Sequence, residues 1–191
     1  MDDVILRAVS QKIDILTVID TETIKDYWNK SNPSRTPSQD KNTPTGLDHS
    51  NKFMICTGSR GIISGQGTGD LSFKANVEDS VRFVGTSAYN NANDAVIIYA
   101  IKKFSGTDVF NQFNANVYVK KEAVQPDPNS ASRDGLPALH VPTNFSVFEA
   151  SVRQSGTEGF GVCFALYTLA DNGQRQDLYG YFWWDPTITV A

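Results

Sequence analysis

Few residues able to do chemistry stand together in this sequence. Asn90, Asn91, Asn93 and Asp94 crowd into the segment YNNANDA. Their oxygens could serve part of the roughly six to eight that calcium takes, with Asp70 or Asp79 completing the set. The same residues also suit a plain reversal, because Asn and Asp tolerate a left-handed backbone. No cofactor is therefore expected, with calcium as the alternative. His49 and His140 fall in two different loop-like segments, with no Cys or Glu at ligand spacing, so a zinc site would need a meeting in space that the sequence does not signal.

The glycine-rich run Gly58-Ser59-Arg60-Gly61 and Gly65-Gln66-Gly67-Thr68-Gly69-Asp70 invites a phosphate-cradle reading. A cradle needs a helix behind the glycines and, in its commonest form, a Lys-Ser or Lys-Thr pair. The next residues are LSFKANV, a strand pattern, so tight turns and bulges are expected. There is no Gly-x-Ser-x-Gly elbow. No catalytic residue is assigned, because a Ser-His-Asp or Cys-His set, or paired carboxylates, is defined by geometry rather than by spacing.

The segment Leu178-Tyr179-Gly180-Tyr181-Phe182-Trp183-Trp184 is a third kind of candidate. Strict alternation puts Tyr179, Tyr181 and Trp183 on one face and Leu178, Phe182 and Trp184 on the other. One face belongs in a core. The other is covered by a second layer or subunit, or is an aromatic platform on which a glycan could stack.

Positioning any of these groups falls to short β-type segments. Lys12 to Asp20 is β-branched and apolar on both parities, as for a central strand covered on both faces. Asp20 or Thr21 can cap a short helix running through Ile24 to Trp28, the one helix of consequence. Residues 29–52 hold three prolines and a single large aliphatic, Leu47, and read as a long surface loop. Strand patterns then recur at Phe53 to Thr57, Leu71 to Ala75, Ser80 to Ser87, Ala95 to Lys103, Val117 to Lys121, Phe145 to Arg153, Gly161 to Leu169 and Leu178 to Trp184. That rhythm indicates an all-β fold, an antiparallel, jelly-roll-like β-sandwich with one short helix and two long surface loops. Asp171-Asn172-Gly173 supplies the turn chemistry to pair the last two strands as a hairpin. Glu122 to Thr143, with Pro126, Pro128, Pro137 and Pro142, reads as the second loop. Residues 1–11 are an extension and 12–191 a single domain.

At 191 residues the chain can bury a core without staples. Its 17 basic and 21 acidic residues, net charge -4, are scattered, which argues against nucleic acid as a partner. No apolar run approaches the ~18 residues of a spanning helix, so no membrane partner is expected. Cys56 and Cys163 each sit in apolar surroundings and read as reduced core thiols. The first ten residues lack a secretory pattern, which makes the cytoplasm the default location.

Three segments, KIDILTVIDTETI, FMICTGSRGIISGQGTGDLSF and LYGYFWWDPTITV, resemble the PixA/AidA family of bacterial inclusion body proteins, in the same order from Lys12 onward. The resemblance implies an abundant accessory protein of a host-associated bacterium, found in intracellular inclusions, with no established catalytic residues. Some members are methionine-rich. This chain has only Met1 and Met54, which speaks against sulfur storage. The expectation is thus a non-enzymatic homo-oligomer accessory to host interaction. A carbohydrate-binding, lectin-like module using Tyr179, Tyr181 and Trp183 is the alternative.

Overall fold

The computed structural model describes residues 9–31 and 35–190, so most of the expected extension, residues 1–8, lies outside the described residues. The chain divides into two compact units, residues 1–114 with 148–191, and residues 115–147.

In the first unit the strand order of one sheet is β3 (Lys52–Thr57), β1 (Lys12–Ile19), β6 (Ser80–Ser87) and then the end of β9 (Leu139–Ser151). The other sheet runs β2 (Thr45–Gly46), β11 (Gln176–Trp184), β10 (Gly156–Leu169), β12 (Thr187–Val190), β5 (Leu71–Phe73) and β4 (Ile62–Ser64), with β7 (Ala95–Gly106) also paired to β10. β10 is the axis of this sheet. β7 runs along one of its edges, while β11 and then β12 share the other, on either side of Asp185-Pro186.

One apolar core joins the two sheets. Ile13, Ile15, Met54, Val81 and Phe83 enter from the first, and Phe73, Phe160, Phe164, Phe182 and Trp184 from the second. Phe83 and Phe160 meet edge-on across the layers at 6.5 Å, an arrangement aromatic rings favour.

The all-β expectation holds, but the sheets are mixed rather than antiparallel. β1 runs parallel to β6, β11 to β2, and β12 to β5. Alternation reports which face a residue takes and carries no information on the direction of its neighbour. β1 differs too: Ile13, Ile15, Thr17 and Ile19 are buried, whereas Leu16 on the opposite face is 37% exposed. Apolar side chains on both parities therefore mark one core face and one outer apolar row, shared with Phe53 and Ile55.

The helix α1 (Thr21–Asp26) begins as expected, with the Asp20 carboxylate accepting from the Thr23 N–H. A π-helical turn, Tyr27–Ser31, succeeds it. The hairpin of β10 and β11 forms around Gly173 at φ 66°, with Leu169 opposite Gln176. The first long loop folds onto the edge of β11, since Ser38 bridges Tyr181 and Thr45–Gly46 pairs with Phe182 and Trp183. A sheet edge that could recruit another chain is thereby covered.

In the second unit the expected loop Glu122 to Thr143 is shorter than its prolines suggest. β8 (Asn114–Gln125) continues through Gln125, and β9 starts at Leu139 with Pro142 inside it. A proline is tolerated there because a two-stranded ribbon leaves each strand one edge without ladder bonds.

Candidate functional site

Three segments remote in sequence meet at His49. Its Nδ1 lies 2.9 Å from Asp70 Oδ2 and its Nε2 lies 3.0 Å from Asp185 Oδ1. The glycine-rich turn places Asp70: Gly65 has φ 76°, and a Cβ at Gly69 would overlap the His49 carbonyl, so residue 69 must be glycine for the two loops to touch. Trp184 fixes the third segment. Its Nε1–H donates to the Gly69 carbonyl at 3.0 Å, with the indole fully buried, and Asp185 is the next residue in the chain.

Ionised carboxylates only accept hydrogen bonds, so both ring nitrogens must donate and the arrangement is that of an imidazolium. Hydrogen bonds from the ring to Asp70 and then Asp185, against partial burial, accordingly hold the His49 pKa above its ordinary value. Such a ring has no nitrogen left to act as a base toward a nucleophile. Among the described residues no group of three or more His, Cys, Asp or Glu is arranged to hold a metal ion. His49 is a charge-assisted clamp between loops.

The clamp carries a pH signature. A pKa raised on folding contributes stability that is fully present below the unfolded value, about 6.5, and is lost as pH rises through the higher folded value. The side chain is 43% exposed, so solvent screening keeps the effect within about 1 kcal/mol. Urea midpoints of the protein should fall over this window in wild type and in His140→Gln, and stay flat in His49→Gln. An unchanged slope in His49→Gln would remove the clamp from the account.

The asparagine-rich segment forms a turn. Asn90 and Asn91 have φ of 52° and 58°, the left-handed geometry of a tight reversal between β6 and β7. The Asn91 Oδ1 accepts from the Ser87 and Val96 N–H groups at 2.9 and 3.0 Å. Asn93 contributes its carbonyl to Gln176 at 3.0 Å. Asp94, almost fully buried, accepts from Thr21 Oγ1 at 2.9 Å and pairs with Lys25 at 2.6 Å, tying α1 to the turn. Asp79 is likewise committed, to the Arg60 guanidinium at 2.8 and 2.9 Å.

Tyr179, Tyr181 and Trp183 are each half-buried and do not share one face. Leu166 opposes Gly180 while Tyr167 opposes Leu178, which makes Tyr179 the unopposed residue of a β-bulge. Its ring lies along Phe182 at 6.3 Å and packs on the core. Tyr181 meets Tyr99 edge-on at 5.5 Å, and Trp183 lies against Gly46 and Gly161. His140 is in the second unit, its Nδ1 3.3 Å from the Glu122 carbonyl. Cys56 and Cys163 are free and buried, and burial pushes both thiols up, away from reactivity.

No helix among the described residues is long and apolar enough to cross a membrane. A family model for PixA, inclusion body protein, matches residues 11–190. Among solved structures the chain is similar to the crystal structure of a PixA inclusion body protein from Burkholderia cenocepacia J2315. The two are 32% identical over 97% of this chain and 99% of that one, with a TM-score of 0.72. No curated protein matches. The PixA family is not known as an enzyme family.

Proposed function

The chain belongs to the PixA family of inclusion body proteins, and on that premise we propose that it is a non-enzymatic protein that self-associates through the ribbon of β8 and β9. The observation that carries this is the exposure of β8. Eleven of its twelve residues are exposed, among them Val117 at 58%, Val119 at 60% and Val124 at 67%. Phe145 and Leu139 on β9 add 46% and 41%. A two-stranded ribbon with apolar groups on both faces is marginal in water by itself and gains stability when a further strand or layer covers it. A second copy supplies the same surface, and Lys120, Lys121 and Glu122 in mid-strand restrict the register in which two ribbons can meet. Accumulation in cytoplasmic inclusions, as an accessory protein in a host-associated bacterium, is the setting the family resemblance supports for such assembly.

Sedimentation velocity across concentration tests the reading. Wild type is expected to gain mass with concentration, and Val117→Lys with Val119→Lys to shift the association midpoint at least tenfold upward. These two side chains are exposed, so the substitutions should leave the fold intact. A wild type that stays monomeric at high concentration, or a double variant that assembles unchanged, overturns it.

A further inference from the structure

Lys52 opens β3 with its side chain turned inward, beside Met54 and Cys56, and that side chain is only 1% exposed. An ammonium has three donors, and leaving them unmet in a buried setting is costly. Its ionic neighbour among the described residues is Asp48, whose Oδ1 stands 3.8 Å away, beyond good hydrogen-bond reach. Asp48 is itself 79% exposed, and that same oxygen accepts from the Ser50 N–H and hydroxyl. Burial accordingly pushes the Lys52 pKa down, and Asp48 offsets this only in part.

Lys52 is one of the residues lining a cavity of about 270 Å³. Ile24, Tyr27 and Leu47 give it apolar walls, and Thr23, Asn51 and the Lys52–Asp48 pair give it polar groups. We propose that this cavity binds small organic monocarboxylates, with the acid group on the Lys52 ammonium and a short apolar body against Ile24 and Leu47. The size is at the lower end of ligand sites, which favours a compact occupant. A single ammonium with Asp48 close by selects a monoanion, because a phosphate or dicarboxylate would carry surplus negative charge toward Asp48 with no second cation among the described residues lining the cavity.

Calorimetric and NMR titrations of the full chain with acetate, butyrate and hexanoate, each beside its matched alcohol, test this. The acids are expected to bind at least tenfold more tightly than the alcohols. Lys52→Met should erase that preference while remaining folded, since a buried charge replaced by an apolar side chain of similar length is tolerated. Asp48→Asn, which removes the competing carboxylate, should preserve or tighten acid binding and gives a second readout if Lys52→Met does not fold. Acids that bind no better than alcohols, an acid preference that survives Lys52→Met, or its loss in Asp48→Asn would each overturn the assignment.

Discussion

Asp79→Ala is expected to cost about 3 kcal/mol of folding stability, the low end of the range for stripping one partner from a buried ion pair, because the Arg60 left behind is partly exposed to water. The carboxylate is fully buried and serves four donors: Arg60 Nε at 2.8 Å, Arg60 Nη2 at 2.9 Å, the Asn76 N–H at 2.7 Å and the Gln11 N–H at 2.8 Å. It thus joins the approach to β1, the glycine-rich turn and the start of β6, and alanine leaves two part-buried amides without their acceptor and a partly exposed guanidinium without its counter-charge. Burial by itself would raise this carboxyl, but the bonds from Arg60, Asn76 and Gln11 outweigh it and hold the pKa below the usual value. A depressed folded pKa means stability that is present above the unfolded value, about 3.9, and lost as pH falls through the folded one. Urea unfolding of wild type and variant should therefore differ most at neutral pH and converge in acid. A difference under about 1 kcal/mol at pH 7 would show that the network is replaceable, as surface pairs are.

Trp184→Ala is expected to lose about 3–5 kcal/mol as well, by a different route, the cavity left when a large buried ring is removed. Trp184 is fully buried and meets Phe164 at 6.0 Å, and Phe164 in turn stacks on Phe182 at 5.6 Å. Trp184→Phe separates the components. It keeps part of the ring volume, leaves a smaller cavity than alanine does, and deletes the Nε1–H bond to Gly69, worth about 1 kcal/mol plus the cost of an orphaned carbonyl. Because Asp185 is adjacent, the alanine variant should also flatten the His49 pH slope, whereas the phenylalanine variant should keep part of it. Equal destabilisation by the two would show that the ring volume phenylalanine retains contributes nothing to stability.

Features decided by neighbouring residues are legible in the sequence. Asp171-Asn172-Gly173 names a turn, and with it the β10–β11 pairing; Asn90 and Asn91 name another. Asp20 as a cap and the reduced thiols are legible for the same reason, since each depends on a local pattern. The His49 clamp is not, because its partners lie 21 and 136 residues away and a histidine amid polar residues resembles any loop histidine. Lys52 escapes notice because a lysine at a strand start reads as solvated, and only its parity with Met54 and Cys56 hints that it faces inward. The bulge at Tyr179 spoils an otherwise sound alternation, since nothing in LYGYFWW marks the extra residue. Prolines obscure the ribbon of β8 and β9, because they read as breaks although one of them lies within a strand.

The placement of β12 bears on how this chain is made. Among the described residues it is the last strand in order, yet it occupies an interior position, antiparallel to β10 and parallel to β5 more than a hundred residues earlier. While residues 187–190 are still inside the ribosome, β5 and the first residues of β10 therefore present open edges. Pairing across such separations is slow, and nascent chains with uncovered strands are prone to associate. Synthesis thus imposes an interval in which these two edges stand uncovered, and the rate at which β12 docks sets how long that interval lasts.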